Sequence, residues 1–149
     1  MLCELMLDKK STTLMIRTYR ELIRINSFED RFEYLSLHGD VGRSTFGFDR
    51  YINQQFYTSA EWKRLRNFVI LRDEGRDLGV EGYEIHGRLL IHHMNPVTAD
   101  HIINKHDFLL NPDFLITTTH RTHNAIHYGD KSLLPRPFVE RQRGDTKLW

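Results

Sequence analysis

The chain has a single cysteine, Cys3, and one thiol forms neither an intramolecular disulfide nor a thiolate zinc cluster. That suits a reducing cytoplasm and leaves histidine as the softest common metal ligand. An excess of one charge is missing too: 21 Lys and Arg stand against 20 Asp and Glu, a formal charge of +1. Any footprint for a polyanion must therefore be local. No apolar run reaches the roughly 18 residues that span a bilayer. Glu4 and Asp8 interrupt what would be the apolar region of a signal peptide. The expectation is a cytoplasmic chain with no membrane engagement. With 149 residues, 40% of them hydrophobic and 11% aromatic, the chain fits one domain with its own core and is not disordered.

What the chain has in quantity is histidine, and it is clustered. Of nine histidines, eight lie between residues 86 and 127: His86, His92, His93, His101, His106, His120, His123 and His127. The apolar run Leu89 to Ile91 delivers His92 and His93, and alternation in a strand sends adjacent side chains to opposite faces unless the strand ends there. Asn95-Pro96 closes that strand. Phe114 to Thr117 reads as a second short strand. Thr119 can cap a helix carrying His120, His123 and His127, and Gly129 stops it. Residues four apart share a helix face, so His123 and His127 can direct two ring nitrogens at one metal ion.

This order of strand, long loop, strand and helix, with His-His on the first strand and His-x3-His on the helix, resembles the HNH family of metal-dependent nucleases. From about Thr18 to Trp149 the chain resembles HNH endonucleases encoded by bacteriophages. The resemblance implies an α+β fold with a ββα-metal core, N-terminal helices and an extended C-terminal tail. It also implies that His92, His123 and His127 are metal ligands and that His93 is the general base. His120 shares roughly the same helix face and could substitute for a ligand. The signature asparagine nine residues before the first helix histidine is replaced here by Phe114, and Asn111 is the candidate to brace the loop instead. Many relatives carry two CxxC pairs for a structural zinc, but Thr119 and Thr122 occupy the place of one pair, so no second metal site is expected.

The implied activity is hydrolysis of DNA phosphodiester bonds. A neutral imidazole can activate water, and a cation on three imidazoles can stabilise the departing oxygen. Three imidazoles with open positions suit one divalent ion, Zn, Ni or Mn, and the family often uses Mg. The expected partners are DNA and, by association with phages, packaging proteins in the host cytoplasm. The alternative from another class is a noncatalytic, zinc-stabilised DNA-binding or packaging factor. Its closed tetrahedral site would take His93 or His120 as the fourth ligand.

Around this core the organisation reads as follows. Residues 1–14 form a loose leader, and Met15 offers a second translation start. Residues 15–58 form a helical region. Thr18 caps a short helix, and Ser27 opens another with Phe28, Phe32, Leu35 and Leu37 as its core stripe. The nuclease core spans 59–130. Ser59 opens a helix to about Asp73 with Trp62, Leu65, Val69 and the stem of Arg72 on one side. Lys63, Arg64 and Arg66 lie elsewhere around that helix and, with Arg121, are the DNA-binding candidates, because Lys and Arg neutralise backbone phosphates. Tyr83 to Ile85 and Arg88 to Ile91 read as a β-ribbon presenting His92 and His93. The connection 94–113 should hold one helical turn after Thr98, and His38, His101 and His106 read as exposed loop residues. Residues 131–149, with Pro135, Pro137, Arg136, Arg141, Arg143 and Lys147, read as a basic extended tail.

Overall fold

A computed structural model describes residues 15–37, 48–80, 83–135 and 143. The leader, His38, the connection 39–47 and most of the tail lie outside the described residues. The fold is mixed α+β. Helices begin where a short polar side chain satisfies the first free backbone N–H groups. Thr18 accepts from Glu21 N at α1 (Tyr19–Leu22), and Ser27 from Asp30 N at α2 (Phe28–Leu35). After α3 (Phe48–Thr58), Ser59 accepts from Trp62 N and opens α4 (Ala60–Arg72). The chain continues through β1 (Arg76–Asp77), β2 (Tyr83–Glu84), β3 (Leu89–His93), α5 (Ala99–Ile103), α6 (Asp107–Leu110), β4 (Leu115–Thr119) and α7 (His120–Tyr128). Gly129 ends α7 with φ 66°, a left-handed conformation that glycine adopts without a Cβ clash.

Two antiparallel pairs form, and their partners correct the expected ribbon: β2 pairs with β1, and β3 pairs with β4. The β3–β4 register sets Leu89 opposite Thr119 and His92 opposite Ile116. A ribbon of sequence neighbours would have left β4 without this partner, although Leu115, Ile116, Thr117 and Thr118 are all buried. A strand enclosed on both faces needs its ladder satisfied by another strand, and the apolar β3 supplies it.

Among the described residues no strand pairs with the other edge of β4. Asp73 Oδ2 accepts from Thr117 N at 2.7 Å, Asp77 Oδ2 accepts from Thr119 N at 2.9 Å, and Leu78 N donates to Thr117 O at 3.0 Å. Asp77 also accepts from Thr122 Oγ1 at 2.6 Å and Gly79 N at 3.0 Å, which fixes the start of α7. Burial pushes the Asp77 carboxyl up, against the lowering effect of these hydrogen bonds. Gly79 is required by contact: a Cβ there would lie 2.4 Å from Thr122 Cγ2. Arg72 contributes more than its stem. Its guanidinium pairs with Asp73 at 2.7 Å, donates to the Pro112 and Leu115 carbonyls, and lies 3.6 Å over the Tyr19 ring.

Three apolar clusters form the core, and two of them include a β4 residue, Ile116 or Leu115. Leu22, Leu35, Leu37, Met94, Ile116 and Ile126 form the first. Phe32, Val80, Ala125 and Leu134 form the second, and Trp62, Val69 and Leu115 the third. Each buried side chain of this size is worth about 1.5–3 kcal/mol against solvent. The stripe expected on α2 is thus core at Phe32 and Leu35, while Phe28 is partly buried. The tail reading is corrected at its start: Lys131–Leu133 form a 3-10 turn capped by Asp130, and Leu134 is buried, so residues 131–135 pack on the domain instead of extending from it. Asn95, just past β3, binds both Arg17 N, at 2.7 Å, and Arg17 O, at 2.9 Å, tying the first described residues to the strand end. Asp77→Ala should destabilise by about 3 kcal/mol or more, because it removes the acceptor from the buried Gly79 N–H, the half-buried Thr119 N–H and the buried Thr122 hydroxyl. Urea unfolding measures this, and a loss under about 1 kcal/mol would contradict the bracing role.

Candidate metal centre

Strand alternation separates the two adjacent histidines, and each face finds a different partner. His92 turns toward α7 and is only 2% exposed. Its ring centroid lies 5.2 Å from those of both His123 and His127. The helical spacing brings His123 Nε2 and His127 Nε2 to 3.0 Å. One ring nitrogen from each of the three lies within 4.8 Å of the others.

The donor set fits a divalent cation. His92 Nε2 is buried with no hydrogen-bond partner, which is costly for a polar atom unless something else engages its lone pair. Asn124 Oδ1 faces His123 Nδ1 at 3.4 Å, and a proton placed on Nδ1 toward that amide oxygen would leave the Nε2 lone pair for an ion. Burial lowers the pKa of His92 well below the usual range, with the neighbouring His123, His127, His93 and Arg17 adding to the effect. Burial also lowers His123, and burial followed by His123 lowers His127 to about 4. All three therefore favour the neutral, metal-binding form.

His93 points the other way. Its ring stacks on Trp62 at 5.4 Å between centroids and 15° between planes, with the Tyr57 ring 6.4 Å away. Its Nε2 lies 3.4 Å from the Leu109 carbonyl oxygen, an acceptor, so Nε2 carries the proton and Nδ1 the lone pair. Burial lowers its pKa to about 4, outweighing the raising effect of that carbonyl. Although they leave the strand on opposite sides, His92 and His93 line one pocket of 160 Å³ together with His123 and His127.

The other candidates take varied places. His120 is exposed, with Nδ1 3.4 Å from Asn124 Nδ2, and is not in the three-histidine group. Asn111 braces its own turn, where Oδ1 accepts from Asp113 N at 2.9 Å and opens the 3-10 turn Pro112–Phe114. The rest of the loop is held by Phe114. Its carbonyl accepts from Met94 N, and its ring packs at 4.7 Å on Phe108, which stacks on His106. His101 and His106 are helix caps: their Nδ1 atoms accept from Thr98 N and Phe108 N. Lys63, Arg64 and Arg121 are exposed, whereas Arg66 is half-buried. Sequence reasoning put Trp62 in an apolar stripe and missed its stack on His93, and it missed the Leu109 carbonyl, because neither contact follows a sequence period.

Compared with protein-family models, curated proteins and solved structures, the chain matches none. No helix among the described residues is long and apolar enough to cross a membrane.

The lowered histidines set a pH dependence whose sign is fixed. Below about pH 6.5 the unfolded chain takes up protons that folded His93 and His127, with pKa values of about 4, refuse. Their stabilising contribution is complete above pH 6.5 and is lost as pH falls toward 4. Metal-free protein should therefore show a lower urea midpoint at about pH 5 than at about pH 7. An equal or higher midpoint at the lower pH would contradict the burial of these rings.

Proposed function

We propose that the chain is a metal-dependent endonuclease of the HNH type, hydrolysing DNA phosphodiester bonds. The observation that carries the reading is one pocket lined by both a three-histidine group, with an unpartnered buried nitrogen, and a fourth histidine held separately. His92, His123 and His127 would hold one divalent ion: Zn, Mn and Ni suit the imidazoles, and Mg the family resemblance. Such an ion would supply a positive centre beside the oxygen that gains charge.

His93 is the proposed general base. With a pKa of about 4 it is neutral near pH 7, and Nδ1 can take a proton from an attacking water. The Leu109 carbonyl holds Nε2–H and favours the imidazolium that results, while Trp62 fixes the ring plane. An approaching phosphate anion favours the protonated ring as well, which offsets part of the burial that weakens the base. A closed zinc site in a noncatalytic DNA-binding factor would need a fourth ligand. His93 instead stacks on Trp62 and faces Leu109, and His120 is exposed beside Asn124, so neither joins the three-histidine group, which favours the nuclease reading over the closed site. Phage genome processing, with packaging proteins as partners in the host cytoplasm, remains part of this proposal through the resemblance alone.

Separate loss of base and ligands tests it. His93→Ala should keep metal affinity near the parent's while cleavage of a DNA oligonucleotide falls by on the order of 10² or more. His92→Ala and His123→Ala should weaken metal binding itself, so that excess metal partly restores cleavage. Calorimetric metal titration beside cleavage assays separates these outcomes. Loss of metal together with activity in His93→Ala would make His93 a ligand and favour the binding factor.

A further inference from the structure

A second cavity of 670 Å³ opens beside the histidine pocket, between α4 and β3. The two share Tyr57, Ile91 and His123 in their walls, so they are parts of one cleft. Arg66 comes to this cavity from α4, and Arg88 from the residue just before β3. Three buried or half-buried arginines are engaged by the fold: Arg17 donates to the Tyr34 and Ser36 carbonyls, Arg31 to those of Ile25 and Leu78, and Arg72 to Asp73. Arg66 and Arg88 have neither an ion-pair partner nor a hydrogen-bond partner among the described residues. Among the described residues no acidic side chain lines the cavity.

Two unpaired guanidiniums lining a cleft that continues to a histidine of the metal group form a site for an anion extended along the cleft. We infer that this cavity binds a polynucleotide backbone, with Arg66 and Arg88 neutralising phosphate next to the one at the histidines. The inference rests on the endonuclease reading for its substrate, but not for its test. Guanidinium offers forked donors that match phosphate oxygens, and each neutralised phosphate adds to the salt dependence of binding. Of the DNA-binding candidates on α4, Arg66 lines the cleft, whereas Lys63 and Arg64 do not. Arg88 is an additional contact that the charge pattern of α4 could not reveal.

The test measures binding of the full chain to a fluorescent DNA duplex by anisotropy across a salt series, with EDTA present so that cleavage plays no part. Arg66→Ala/Arg88→Ala should flatten the log-log salt slope by about 0.9 to 1.8, according to whether the two share a phosphate. Arg88 is exposed, so Arg88→Ala alone should fold normally and flatten the slope if the cleft is used. Unchanged slopes in a variant with parental melting behaviour would overturn the inference, as would a loss confined to Lys63→Ala/Arg64→Ala. Inorganic phosphate, titrated calorimetrically, should bind weakly. Tight binding would reassign the cavity to free phosphate. Failure of cleavage with the slope change intact would sink the endonuclease reading and leave the cleft standing.

Discussion

Everything at the candidate site depends on how β4 is held. It is a short buried strand with a strand partner, among the described residues, on one side only, and an unpaired buried edge is costly. Asp73 and Asp77 meet Thr117 and Thr119 on that side, and Asp77 extends to Thr122 in the first turn of α7. One carboxylate thus fixes both the end of the strand and the start of the helix that follows it. The partner strand on the other side carries His92 opposite Ile116. Helix and strand are thereby placed so that His123 and His127 meet His92.

The two faces of β3 then divide the chemistry. On the α7 face, three imidazoles converge and burial keeps them neutral. On the α4 face, His93 rests on Trp62 and the Leu109 carbonyl, so a ring of the same type has a different set of neighbours. The proposal of base and ligands uses this division. A single-residue slip in the β3–β4 register would exchange the faces of His92 and His93, so the proposed site depends on the braced strand as stability does.

Much of this was legible in the sequence. Thr18, Ser27, Ser59, Thr98 and Thr119 all cap helices as their positions suggested, because capping is a local interaction. His-x3-His on a helix placed His123 and His127 on one face for the same reason, a period of 3.6, whereas His92 as their partner was implied by the family resemblance and not by any period. The choice of β4 as partner for β3 was not legible, since long-range pairing competes with a ribbon of neighbours and no local signal decides. Nor was the bracing by Asp73 and Asp77, which look like ordinary surface carboxylates in the sequence. Phe114 was legible as a departure from the signature, and its expected place at the start of the second strand is corrected: it ends the 3-10 turn Pro112–Phe114 and the strand begins at Leu115. Its aromatic packing on Phe108, with the Met94 N–H on its carbonyl, supplies the loop with support of another kind. Arg72 was read for its stem, while its guanidinium joins Asp73, Tyr19 and two carbonyls that sequence does not bring together.

The central claim is that the three-histidine group and His93 together hydrolyse DNA. Incubation of supercoiled plasmid with the full chain, with Mg, Mn, Zn or Ni and with EDTA, addresses it most directly. The account predicts conversion to nicked or linear plasmid with at least one of these ions, its suppression by EDTA, and its return when that ion is added in excess. Intact plasmid under every ion, from protein that calorimetry shows to have bound metal, would contradict the account and leave a metal-stabilised binding protein in its place.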